Sequence, residues 1–291
     1  MNDIGTLVLG IVISLVGAFI NNFGVVLQKR QVNIKAPPNQ TEKTVLDIGT
    51  FFKDPIWVLG ILMQTIIYLP FLLYAYELIK ITLAAPLSNA GIIFLVLGLM
   101  LLVNEKLRGT HEYAGVIILI IGVITVALGN VQGDATIAGF MGALSNFWLV
   151  FGLILAISFA SLLPIFRYKS ERRLMFYGIL IGNCYAFVAI SLQWLVMGIT
   201  EATHPLGGLF LMIGIIGAVL GSVVGILATQ EAYKRGNAIY VVPFVQVTVN
   251  IFPIIAGVLI FQQVIWNPLF FWIGIISIII GASLLARFEG E

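Results

Sequence analysis

The chain has 291 residues, of which 60% are hydrophobic and only 10% are charged, and its mean hydropathy is +1.08. A soluble protein carries about a quarter of its residues as charged side chains to cover its surface, so this composition excludes a soluble domain. The single cysteine, Cys184, excludes an internal disulfide framework and a thiolate metal site. We therefore predict an all-α polytopic membrane protein.

Apolar stretches long enough to cross a bilayer, about 20 residues each, recur along the whole chain. The first is too long for a signal peptide and lacks a preceding basic segment, so we predict it to be a membrane span. The segment 130–145 contains glycine, threonine and Asp134, and we predict it to be a loop. The nine predicted spans are 4–27, 55–76, 82–103, 113–129, 146–166, 174–199, 205–230, 239–261 and 268–286.

The distribution of lysine and arginine supports this number of spans and predicts their orientation. With nine spans, 14 of the 15 basic residues fall on one side of the membrane, and only Lys80 falls on the other. Because cytoplasmic segments are enriched in basic residues, we predict an external N-terminus and a cytoplasmic C-terminus. The expected location is the cell (plasma) membrane, as a multi-pass integral protein.

Two parts of the chain resemble each other at a fixed spacing. Glu105 follows Pro86 by 19 residues, and Gln262 follows Pro243 by 19 residues. Spans one to four therefore match spans six to nine, and span five reverses the orientation of the second set. We predict inverted repeats at residues 1–130 and 174–291, joined by a linker, 131–173, that contains span five. Inverted repeats are the usual construction of secondary transporters.

Short motifs add a resemblance to a known family. The motifs Ala84-Ala85-Pro86-Leu87 and Asn104-Glu105-Lys106-Leu107 resemble the drug/metabolite transporter (DMT) superfamily, which includes the EamA-like permeases. The motifs Lys53-Asp54-Pro55-Ile56-Trp57, His204-Pro205-Leu206 and Val241-Val242-Pro243 resemble its NIPA-like magnesium transporter branch. The resemblance implies uptake of divalent cations, chiefly Mg²⁺. Gln262-Gln263 departs from the family pattern, which tends to have an acidic residue there.

The predicted membrane interior has no Asp, Glu, Lys, Arg or His in the central third of any span. This argues against exchange of cationic drugs, which needs a carboxylate in the first span, and against sugar-phosphate exchange, which needs buried Lys or Arg. Neutral polar side chains suit a partly hydrated cation or a small uncharged or zwitterionic solute. The expected substrate-binding residues are Asn22, Ser88, Asn89, Asn183, Gln246 and Asn250.

Asn89 and Gln246 are the leading pair, because each follows its repeat proline by three residues. Inverted repeats would place them on facing helices, where their amide oxygens are suitable ligands for Mg²⁺. The alternative is structural, since amides between transmembrane helices also hydrogen-bond to one another.

The repeats predict alternating access, with an external gate near Glu77 and Pro86 and a cytoplasmic gate near Glu231 and Pro243. The first hypothesis is transport of Mg²⁺ or another divalent cation. An amino-acid, drug or small-metabolite exporter is the second, and a membrane scaffold without transport is the third. We expect no enzymatic activity and no resident cofactor. The expected partners are the lipid bilayer, the solute or cation, and a second copy of the chain, but not nucleic acid.

Overall fold

The computed structural model describes residues 4–35, 53–102, 109–167, 171–235 and 241–285. These residues are almost entirely helical, with one two-stranded ladder. The elements in chain order are α1 (Ile4–Lys35), α2 (Pro55–Leu62), a π-helix (Met63–Ile67), α3 (Leu69–Asn89), α4 (Ile92–Leu102), α5 (Thr110–Ala127), β1 (Val131–Gln132), α6 (Ile137–Gly142), α7 (Leu144–Arg167), α8 (Glu171–Thr200), α9 (Gly207–Arg235), α10 (Val242–Leu259), β2 (Val264–Ile265) and α11 (Pro268–Leu285).

Within the described residues, six helical stretches are long and apolar enough to cross a membrane. Shorter apolar helices follow at Phe244–Leu259 and Pro268–Leu284. Large apolar side chains point outward along these helices, as Leu163 and Leu227 do, which suits contact with lipid. The chain is therefore an all-α integral membrane protein, and this part of the prediction is confirmed. The six stretches are Ile4–Gln28, Pro55–Leu102, Thr110–Ala127, Leu144–Arg167, Arg173–Thr200 and Gly207–Thr229.

The 48-residue stretch Pro55–Leu102 is too long for one crossing, and its backbone is interrupted. Lys80, inside α3, has φ 65° and ψ 154°, so the regular helix stops and restarts there. The sequence places the boundary between spans two and three at this residue. A further turn at Ala90 and Gly91 separates α3 from α4.

The segment 130–145 is not the simple loop that its composition predicts. It contains β1, which pairs antiparallel with β2 so that Val131 faces Ile265, and it contains the short helix α6. Thr136 caps α6, because its side chain accepts a hydrogen bond from Gly139 N at 3.0 Å. The prediction was wrong here because the partner of β1 lies far along the chain and leaves no local signal.

The helices pack in a few extensive pairs. Helix α1 packs against α2, α3 and α4, while α8 packs against α9 and α10. Helix α5 packs against α11, and α3 packs against α10. Glycine permits the closest contacts, since a Cβ atom added at Gly274 would lie 2.3 Å from Val126 N.

Several connections between helices meet at one end of the molecule, which we call the loop end. There Lys80 Nζ lies 2.5 Å from Asp134 Oδ1, and Glu201 Oε1 accepts a hydrogen bond from Ile137 N at 2.9 Å. The β1–β2 ladder ties one further connection, between α10 and α11, to the connection that contains Asp134. The loop end is thus tied together by an ion pair, a carboxylate cap and backbone hydrogen bonds.

Candidate functional site

Three of the six predicted binding residues form one hydrogen-bonded group between α3 and α10, which we call the amide cluster. Asn89 Nδ2 donates to Asn250 Oδ1 at 3.3 Å. Asn250 Nδ2 in turn donates to the backbone carbonyl of Gln246 at 2.7 Å and to its side-chain Oε1 at 3.4 Å. Asn250 is completely buried, whereas Asn89 and Gln246 are half-buried. Asn250 therefore links Asn89 to Gln246.

A backbone carbonyl completes the amide cluster. Pro253 lies inside α10 and has no N–H, so it cannot donate to the carbonyl of Val249, four residues earlier. Asn89 Nδ2 approaches this same carbonyl oxygen at 3.5 Å. A proline thus frees an acceptor inside an apolar helix, and the amide of Asn89, 160 positions earlier in the chain, is directed at it.

The local backbone explains why Asn89 reaches α10. Asn89 is the last residue of α3, and the Ala90 N–H closes the helix by bonding to the Pro86 carbonyl at 3.0 Å. Its side chain therefore leaves the helix at the turn before α4, opposite Val249 and Asn250. Gln246 and Asn250 are one helical turn apart on α10, so both lie on the same face.

The other predicted binding residues make their described hydrogen bonds elsewhere. The Ser88 hydroxyl lies 3.2 Å from that of Ser14 on α1. Asn22 Nδ2 bonds to the carbonyl of Ala18 at 2.8 Å. Asn183 Nδ2 donates to Ser158 Oγ on α7 at 3.0 Å, and its Oδ1 atom is buried without a described partner.

The four predicted gate residues occupy different environments. Glu77 is exposed, and its backbone carbonyl accepts a hydrogen bond from Lys80 Nζ at 2.9 Å. Pro86 is buried inside α3, so it does not start a helix as its position near a predicted span start suggested. Pro243 lies in the first turn of α10, where a proline suits helix initiation. Glu231 is half-buried near the end of α9.

Our sequence interpretation missed Pro253 and the Val249 carbonyl. The signal was present, because a proline in the middle of a predicted span always removes the hydrogen bond to the carbonyl four residues before it. It also missed Gln263, whose Oε1 accepts from Thr82 N at 3.2 Å and from Thr82 Oγ1 at 2.6 Å. No local pattern links those two residues, which are 181 positions apart.

The oxygen atoms of the amide cluster are its chemically distinctive feature. Asn250 Oδ1, Gln246 Oε1 and the Val249 carbonyl are neutral oxygen ligands of the type that hard cations prefer. Within the described ranges, no three His, Cys, Asp or Glu side chains come together as a metal site. A cation bound here would therefore be held by neutral oxygens and would retain part of its water shell.

Comparison with known proteins leaves the family of this chain open. No family model matches the sequence, and neither a curated protein nor a solved structure matches it. The resemblance to the DMT superfamily and its NIPA-like branch stays a prediction, supported by the motifs alone.

Proposed function

We propose that the chain is a secondary transporter with nine membrane spans in two inverted repeats, and that it moves a divalent cation such as Mg²⁺ by alternating access. The packing of the helices supports the repeats. If spans one to four are matched with spans six to nine, the contact of α1 with α2 and α3 corresponds to that of α8 with α9. The contact of α1 with α4 corresponds to that of α8 with α10.

The loop end supports the proposed topology. With nine spans and an external N-terminus, the connections that contain Lys80, Asp134, Glu201 and Gln263 would all be external. Hydrogen bonds and an ion pair join these connections to one another or to their neighbours. Connections can meet in this way only if they lie on the same side of the membrane. The cell membrane is the location that this orientation favours.

The choice of a cation as the substrate depends mainly on the freed carbonyl of Val249. A carbonyl freed by a proline inside a transmembrane helix offers a strong acceptor without a charged side chain. Together with Asn250 Oδ1 and Gln246 Oε1, it gives three neutral oxygens on one face of α10. This set suits a partly hydrated cation better than an anion, which would need donors.

The same contacts suggest how the site would open and close. In the present conformation, the amide group of Asn89 occupies two of the acceptors, Val249 O and Asn250 Oδ1. A cation can take this place when residues 81–89 move away from α10. The cation would therefore replace an internal hydrogen-bond donor, so the cluster oxygens on α10 would be paired in both states.

One observation favours the second candidate, an exporter of amino acids, drugs or small metabolites. Asn183 Oδ1, in a side chain that is 1% exposed, has no described hydrogen-bond partner. A buried acceptor of this kind is suited to an N–H or O–H donor, which a zwitterionic or uncharged solute carries.

The test is Mg²⁺ uptake into proteoliposomes that contain the full chain, compared between the parent and the double variant Asn89→Leu, Gln246→Leu. We expect saturable uptake in the parent and its loss in the double variant. Gln262→Leu is the control, because this exposed glutamine lies outside the amide cluster, and uptake should be retained. Uptake that persists in the double variant would remove the amide cluster as the site. Absence of uptake in the parent would favour the exporter.

A further inference from the structure

We propose that Lys80 is a strained hinge, held closed by Asp134 and Gln263, and that its release opens the amide cluster toward the loop end. The inference rests on the proposed function, because it describes the external gate of the same site. The supporting observations are the backbone angles of Lys80, the contact of its side chain with Asp134, and the contact of Thr82 with Gln263.

The backbone of Lys80 is in a region that side chains avoid. Its φ of 65° with ψ of 154° is a combination adopted almost only by glycine. Such a conformation persists only when surrounding contacts hold it. Lys80 is also the point at which α3 is interrupted, so a change in its dihedral angles would redirect residues 81–89 relative to the rest of the helix.

The first contact holds the side chain of Lys80. Its Nζ atom donates to the Glu77 carbonyl at 2.9 Å and to Asp134 Oδ1 at 2.5 Å. The Lys80 side chain is 11% exposed, whereas that of Asp134 is 82% exposed. The ammonium is therefore fixed in the protein, and its carboxylate partner comes from the connection between β1 and α6, at the loop end.

The second contact fixes Thr82, where the helix begins again after Lys80. Thr82 N lies in the first turn after the interruption, where backbone N–H groups lack helical partners. Gln263 Oε1 accepts hydrogen bonds from this N–H and from the Thr82 hydroxyl, and both residues are buried. The packing is tight, because a Cβ atom at Gly257 would lie within van der Waals overlap of Thr82 Oγ1.

These two contacts act on one short segment. Asp134 and Gln263 belong to connections that the β1–β2 ladder ties together, so they form a single fixed frame at the loop end. Residues 81–89 run from this frame to Asn89 in the amide cluster. When the frame releases Lys80 and Thr82, relaxation of the Lys80 backbone carries Asn89 away from Val249 and Asn250. The cluster oxygens then face the loop end.

The test measures opening directly and does not depend on transport. In a Cys184→Ala background, Ala256→Cys places a thiol at a fully buried position beside Gly257. The rate of its reaction with a water-soluble maleimide is measured on the full chain in detergent. We expect labelling to be several-fold faster when Asp134→Asn or Gln263→Leu is added. Thr65→Ala is the control, because this exposed hydroxyl bonds to the Ile61 carbonyl at 2.7 Å one turn earlier in the same helical stretch, and its rate should equal that of the background.

Asp134→Asn is the deciding variant, because Asp134 is exposed and its replacement leaves the packed interior intact. An unchanged labelling rate in Asp134→Asn overturns the proposal, even if Gln263→Leu labels faster. Failure of the proposed function would be seen separately, as an absence of Mg²⁺ uptake in the parent. If the parent takes up no Mg²⁺ but Asp134→Asn still labels faster, the hinge proposal stands and only the proposed substrate is wrong.

Discussion

The Nδ2 atom of Asn89 lies 3.3 Å from Oδ1 of Asn250, although the two residues are 161 positions apart in the chain. This hydrogen bond joins the end of α3 to the middle of α10, and therefore joins the two proposed repeats. The same nitrogen also lies 3.5 Å from the carbonyl oxygen of Val249, which is a longer contact. Both contacts must break if the halves separate at this point.

The strength of the Asn89–Asn250 contact can be measured with a double-mutant cycle. We expect Asn89→Ala and Asn250→Ala to couple by about 0.6 kcal/mol, and by no more than about 1.7 kcal/mol, the range found for hydrogen bonds between transmembrane helices. The free energy of unfolding in mixed micelles is the measurement. Pairing Asn89→Ala with Ser158→Ala, which lies on α7, should give no coupling. A coupling energy of zero between Asn89→Ala and Asn250→Ala would show that this hydrogen bond contributes nothing to the free energy of unfolding.

Pro253→Ala should restore the helical hydrogen bond to the Val249 carbonyl. We expect Mg²⁺ uptake to fall about tenfold, the effect of losing about 1.4 kcal/mol of binding when one oxygen ligand is withdrawn. Uptake into proteoliposomes at subsaturating Mg²⁺ is the measurement. Pro164→Ala is the control, because it restores a bond to the carbonyl of Ala160 on the exposed side of α7. Equal uptake in both variants would contradict the role of the freed carbonyl.

Gly274→Ala should separate α5 from α11, since its Cβ would lie 2.3 Å from the backbone nitrogen of Val126. We expect it to destabilise the protein by about 1–3 kcal/mol, as overpacking does in well-packed interiors. Thermal unfolding followed by tryptophan fluorescence would measure the change. Gly152→Ala, which meets nothing within 4 Å on α7, should leave stability unchanged or raise it slightly. Similar losses in both variants would mean that the helix contact is not the cause.

The proposed orientation predicts which exposed residues are accessible from outside the cell. In a Cys184→Ala background, Thr203→Cys lies in the connection between α8 and α9, and Lys53→Cys lies just before α2. We expect a membrane-impermeant thiol reagent to label Thr203→Cys in intact cells, and to label Lys53→Cys only after permeabilisation. The reverse pattern would invert the topology and exchange the two proposed gates.

Much of the fold could be predicted from the sequence, because the bilayer imposes a simple requirement. Backbone groups in hydrocarbon must be paired within a helix, so every long apolar segment is predicted to be helical. The helices found at Ile4–Lys35 and Glu171–Thr200 follow from this rule. The polar segment around Lys80, which separates two apolar stretches, correctly indicated an interruption. Where a proline removes an N–H, the freed carbonyl follows from the sequence as well, although Val249 was overlooked.

Only the tertiary structure decided which polar groups meet. Asn22, Ser88, Asn89 and Asn183 are similar amides or hydroxyls in similar apolar surroundings, yet only Asn89 reaches the amide cluster on α10. The rotation of each helix about its axis, set by glycine contacts and side-chain packing, decides the partner. The same holds for Thr82 with Gln263 and for β1 with β2, because pairing between distant segments depends on how the whole bundle packs and is not encoded in local composition.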